Sequence, residues 1–202
     1  MNDLLGPLMQ QLGGANVDQI ARQIGAGGNR SGVESAIGAA IPMILGGLAK
    51  NSANRGGADA LANALGRDHD GSLLDNLTGY LSGAGATQDD GILGHIFGNK
   101  RSPLEGMVSQ ASGLDKDKTS LLMNVLAPII MAQLGKAKRT SNLDANGVSV
   151  LLGQERQKIE QTAPSALDGL SSLLDSDGDG DIKDDLLKHG ASLLGRLFSG
   201  RR

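Results

Sequence analysis

Asp175-Ser-Asp177-Gly-Asp179-Gly180-Asp181-Ile182-Lys-Asp184-Asp185 places six aspartates within eleven residues. Carboxylates crowded that closely repel one another unless a cation stands among them. Asp at loop positions 1, 3 and 5, Gly at 6 and an apolar residue at 8 is the pattern of an EF-hand-type calcium loop. Hard oxygen ligands at alternate positions suit Ca²⁺, and Gly180 permits the sharp turn. In this register Asp175, Asp177 and Asp179 ligate through carboxylates and Asp181 through its backbone carbonyl. Position 12, normally Glu, is Leu186 here. Asp185 is the candidate closing carboxylate and Asp184 the next. Without a position-12 Glu, the expected affinity is that of a weak structural site, about 10⁻⁴–10⁻³ M. The same run also reads as a solvated acidic turn between two helices.

Asp68-His69-Asp70-Gly71 is a second candidate. A histidine between carboxylates suits a general base or a metal ligand, but Asp and Gly in this order form a turn far more often. His95 and His189 stand alone, with no HxxE or HExxH spacing, and read as surface or packing residues. The sequence shows no serine elbow, phosphate-binding loop or dinucleotide fingerprint, and LDANG at 143–147 reads as a turn or helix start. The chain is expected not to be an enzyme.

The elements that must position these residues are helices. No alternating strand pattern of useful length appears, so the fold class is all-α. Ser31 to Lys50 is the central stretch: from Ala36 to Ala49 it carries no charge and no polar side chain. A helix apolar on every side is a buried helix. About 15 apolar residues reach roughly 22 Å, short of a bilayer, so a core helix is expected rather than a membrane span. Ser31 and Glu34 have the spacing of a capping box. Pro42 lacks an N–H for the Gly38 carbonyl, so a kink or break is expected there.

The stretch occurs twice. Thr119 to Lys136 repeats it with Pro128 in place of Pro42, which sets Ile44 on Ile130, Leu48 on Leu134 and Lys50 on Lys136. Residues 3–50 and 91–137 therefore read as two similar helical units, expected to pack as a pseudo-two-fold bundle with connecting helices in 58–81. They form one domain, 1–137. Residues 138–202 read as a C-terminal helical region holding the calcium loop at 175–185. A linker at 137–142 leads into it, 143–152 and 154–161 are short helices, and Pro164 to Leu174 is another. Asp184 to Phe198 is an amphipathic last helix. Elsewhere, Asn16 and Ser72 read as caps of helices at 17–24 and 73–81, residues 51–57 as a loop before a helix at 58–65, and Asp115 as the cap of the second apolar helix.

Composition narrows the classes. The chain has 202 residues, 31 of them Gly, and its only aromatics are Tyr80, Phe97 and Phe198. The core must be Leu, Ile, Val, Ala and Gly, with helices approaching closely over small residues. A net charge of −3 makes no strong electrostatic case for nucleic acid. The absence of cysteine rules out disulfides and thiolate chemistry. The N-terminus has no basic region before an apolar run, so no Sec-type signal peptide is read and a cytoplasmic location is expected, with export by another route left open.

DGSLLDNL at 70–77, GILGHIFG at 91–98, ASGLDKDK at 111–118 and LAPIIMAQLGK at 126–136, with the Asp-rich loop behind them, resemble the bacterial family called domain of unknown function 937, which includes YidB-like proteins. The resemblance covers residues 3–136, and residues from 143 onward resemble the C-terminal region of many members. It implies an all-helical bacterial protein with no assigned enzyme activity, and it carries over no catalytic residues. A likeness of such members to homeodomain-type folds motivates a nucleic-acid-binding regulator as the alternative function. The favoured expectation is a non-enzymatic calcium-binding protein acting in self-assembly or partner binding.

Overall fold

The computed structural model describes residues 3–83 and 90–162. Among the described residues the chain is helical throughout, without a strand. In chain order the helices are α1 (Leu5–Leu12), α2 (Ala15–Gln23), α3 (Arg30–Ser52), α4 (Arg55–Arg67), α5 (Leu77–Ser82), α6 (Asp90–Phe97), α7 (Arg101–Ser112), α8 (Lys116–Thr140) and α9 (Ala145–Thr162). Short 3₁₀ turns at Ser72–Asn76 and Gly98–Lys100 lead into α5 and α7.

The two charge-poor stretches are the long helices α3 and α8, which pack on each other. Val33, Ile37, Ile41, Ile44 and Leu48 of α3 are buried, and so are Leu122, Val125, Leu126, Ile129, Ile130 and Leu134 of α8. Each such side chain contributes about 1.5–3 kcal/mol when fully removed from water. Both helices are long and apolar enough to cross a membrane, with mean hydropathy 1.5 and 1.3, yet 78% of each apolar window is buried inside the fold. Neither helix breaks at its proline: α3 continues through Pro42 and α8 through Pro128. Both prolines are buried, so packing on all sides offsets the lost hydrogen bond.

The order short, short, long recurs as α1–α2–α3 and α6–α7–α8. The surroundings of the two units differ, because α7 packs against both α3 and α8 whereas α2 packs against α3 and α5. The boundary drawn after residue 137 falls inside α8, which runs on to Thr140. The two short helices expected at 143–152 and 154–161 are the single helix α9. Gly153 alone does not stop it, since Val148, Leu151, Leu152 and Ile159 are buried in the same core and outweigh one glycine's cost of ~1 kcal/mol.

The caps differ from the expected ones. Asn29 starts α3, its side chain accepting from Gly32 N–H at 3.1 Å, while Glu34 accepts from Arg30 Nε at 2.9 Å. Asn54 starts α4 through Gly57 N–H at 2.8 Å, so the expected loop at 51–57 is shorter. Asn76, rather than Ser72, caps α5 through Gly79 N–H at 3.2 Å, and Asp144 accepts from Gly147 N–H at 2.8 Å. Asn16 caps nothing: α2 has already begun at Ala15, and the Asn16 amide donates to the Gln11 carbonyl at 2.6 Å. Asp115 stands at the cap position of α8 without a cap bond, its carboxylate taken by Lys118 at 2.7 Å. One device, Asn or Asp followed three residues on by Gly, thus serves four helices. A Cβ at Gly32 or Gly79 would come within 2.5 Å of the capping amide, so glycine is what lets the cap close down there.

Candidate functional site

Asp175, Asp177, Asp179, Asp181 and Asp185 lie outside the described residues. The other candidate, Asp68-His69-Asp70, is the turn between α4 and the 3₁₀ turn before α5. Gly71 gives this turn its left-handed backbone, with φ +99. The turn lies directly on α8: a Cβ at Gly135 would overlap the His69 carbonyl oxygen, and one at Gly71 would meet Lys136 at 2.8 Å.

Both carboxylates of the turn are engaged. Asp68 accepts from Arg67 Nε at 3.0 and 3.1 Å and from Arg67 Nη2 at 2.8 Å. Asp70 accepts from Ser72 N–H at 3.0 Å, with Arg139 Nη1 at 3.7 Å. The Arg67 hydrogen bonds hold the Asp68 carboxyl below the usual range, and the Ser72 backbone and hydroxyl, with Arg139 beyond, do the same for Asp70. A lowered carboxylate pKa contributes stability that is present above the unfolded value and lost as pH falls through the folded one. Urea melts between about pH 6 and pH 2 are therefore expected to show an acid limb that Asp70→Asn makes shallower.

His69 and His95, 26 positions apart in sequence, line one cleft of about 730 Å³ between α4 and α6. Leu48 and Met131 form part of its floor, Ala60, Leu61 and Ala64 one wall, and Ile92 and Ile96 the other. Lys50, Arg67 and Asp68 also border it. His95 Nδ1 lies 2.7 Å from the Gly91 carbonyl, which places the neutral ring's proton on Nδ1 and leaves Nε2 as the acceptor. The Asn51 amide donates to the carbonyls of His95 and Ile96 at 3.3 and 3.0 Å, tying the end of α3 to the end of α6. Among the described residues no three His, Asp or Glu side chains come together as a metal-binding group. The cleft has an apolar floor and a polar rim, the general make-up of ligand pockets.

The family model described as bacterial protein of unknown function (DUF937) matches residues 7–137. The chain belongs to the DUF937 family. No curated protein and no solved structure matches it. The DUF937 match runs from α1 to near the end of α8 and so contains every residue that borders the cleft. Helix α9 lies beyond the match and nonetheless packs on α3 and α4.

Two polar clusters of this DUF937 chain were not singled out in the sequence. Glu105 of α7, 6% exposed, accepts from Arg101 Nε at 2.7 Å and from Ser120 Oγ at 2.9 Å. Arg101 Nη2 reaches across to Asn124 Oδ1 at 2.9 Å, so the cluster fastens α7 to α8. Glu155 of α9 is fully buried, accepting from Lys158 Nζ at 2.6 Å and from Leu5 N–H at 3.2 Å. It places a carboxylate on the N-terminus of α1, where the helix dipole favours negative charge. The signals were the i,i+4 pair Arg101/Glu105 and the i,i+3 pair Glu155/Lys158, whose spacing is equally that of exposed pairs.

Proposed function

We propose that this DUF937 protein is a non-enzymatic, calcium-binding interaction module that works through self-assembly or partner binding. The observation that carries the reading is the use made of the polar side chains in the described residues. Glu105 with Ser120, Arg101 with Asn124 and Glu155 with Leu5 N–H each join one helix to another, while Arg67 with Asp68 and Asp70 with Ser72 are used up within their own turn. The long apolar helices spend their surface on each other and on α9, and we read them as core helices rather than spans. In the C-terminal region, the Asp-rich loop and the apolar stripe of 184–198 are the sequence features that we assign to the cation and to the interaction.

Calcium would be held by the carboxylates of Asp175, Asp177, Asp179 and Asp185 and the carbonyl of Asp181, offsetting the repulsion among them. Isothermal calorimetry of the full chain with Ca²⁺ is expected to give saturable heat with a dissociation constant of about 10⁻⁴–10⁻³ M. Asp177→Ala with Asp179→Ala should abolish it. No heat from the wild type, or undiminished heat from the double variant, contradicts the calcium reading.

A nucleic-acid-binding regulator draws some support from the basic ends of α4 and α8, where Arg67, Lys138 and Arg139 gather. Asp68 and Asp70 sit against Arg67 and Arg139, however, and the net charge is −3. Too little positive field is left over to hold a phosphate backbone.

A further inference from the structure

We infer that the cleft between α4 and α6 is the docking groove for the C-terminal segment 184–198 of a second copy of this chain. The inference rests on the self-assembly reading and supplies its receiving surface.

The groove suits a helix. Gly57, Ala60, Leu61 and Ala64 border it at spacings of three and four, so one face of α4 forms the wall. Three of those four side chains are small or absent, which lets another helix backbone come close. Ile92 and Ile96 stand on the α6 side, with Met131 below. The segment 184–198 has the matching stripe: Leu186, Leu193 and Leu197 at spacings of seven and four, and Leu187, Leu194 and Phe198 beside them in the same register. An amphipathic helix laid apolar face down in an apolar groove is a recurrent recognition mode.

Charge does not oppose this placement. The rim carries Lys50 besides the Arg67–Asp68 ion pair, which cancels its own charge. The segment begins at Asp184 and Asp185, directly behind the other four aspartates of the loop. The self-assembly reading makes a second copy the donor, and closure within one chain is the competing outcome of the test. The hydrogen bond from Leu5 N–H to Glu155 and the 3.7 Å approach of Lys158 to Asp3 fix the last turns of α9 beside the start of α1. Helix α9 contributes no residue to the lining of the groove.

The chain has no cysteine, so introduced cysteines report contact without background. Full-length Ala60→Cys and full-length, size-tagged Leu194→Cys would be mixed and oxidised mildly, in calcium and in chelator. Val150→Cys, on α9 and 50% exposed, replaces Ala60→Cys in the control. The expected result is a mixed disulfide formed at least fivefold faster with Ala60→Cys than with Val150→Cys. Equal rates overturn the groove assignment. So does a double variant, Ala60→Cys with Leu194→Cys, that closes only within one chain. Should the protein still weigh more than a monomer in that case, the self-assembly reading stands and only the groove is lost.

Discussion

Replacing Arg101 by alanine is expected to destabilise the protein by about 3 kcal/mol, the low end of the range for breaking a buried ion pair. Glu105 is 6% exposed and would keep its carboxylate inside the α7–α8 interface with Ser120 as the remaining donor. Asn124 would lose its guanidinium partner as well. The Arg101 side chain is itself 18% exposed, so some water would enter, which is why the low end applies. For a chain of this size the loss corresponds to a Tm lowered by about 6–12 °C. Removing both charges, as in Arg101→Met with Glu105→Leu, should recover most of the loss, because the cost lies in the stranded carboxylate. Thermal and urea unfolding check both. A single variant within about 0.5 kcal/mol of wild type would mean that the cluster does not hold α7 to α8.

Gly135→Val is the second large effect, expected to cost about 3 kcal/mol by forcing atoms into a filled contact. Any Cβ at that position overlaps the His69 carbonyl oxygen. The backbone of the turn cannot rotate away as a side chain would, so residues 67–72 must lift off α8, and the cleft wall that carries His69 moves with them. The contrast is Gly153→Ala in α9 and Gly106→Ala in α7, where a Cβ meets nothing within 4 Å. Those two should stabilise the protein by up to about 1 kcal/mol each, through helix propensity alone. Urea midpoints of the three variants decide. Gly135→Val as stable as wild type would contradict the packing of the turn on α8.

Both of these positions show what the sequence holds and what it conceals. The long helices were legible because α3 and α8 carry fourteen or more positions with almost no charge, and such a run has one stable destination in a fold. Their likeness in sequence was legible through Pro42 and Pro128, each of which stands inside its long helix. The caps were misread: Ser31 and Glu34 fit a familiar spacing, but Asn29 holds the better geometry, and its signal was the Gly three positions on, repeated at Asn54, Asn76 and Asp144. Helix α9 was cut in two because Gly153 looks like punctuation until its neighbours are seen to be buried.

The cleft was not legible at all. His69 and His95 border it together because Gly135 admits the turn and Asn51 fastens α3 to α6, and neither contact has a local pattern. Glu155 illustrates the same limit from the other side. Its place in a Gln-Glu-Arg run suggests a solvated helix face, yet it is fully buried beneath the first turn of α1, 150 positions away. The candidate calcium ligands are legible in the sequence alone, which makes solution measurement their proper test.

Light scattering of the full chain and of a 1–170 truncation, each with calcium and with chelator, tests the interaction reading most directly. The truncation keeps every helix from α1 to α9 and removes the aspartate loop and the segment 184–198. The full chain in calcium is expected to weigh a multiple of 20.7 kDa, to lose mass in chelator, and to differ from a truncation that is monomeric in both. Identical monomeric masses for the two proteins, with and without calcium, would contradict self-assembly through the C-terminal region.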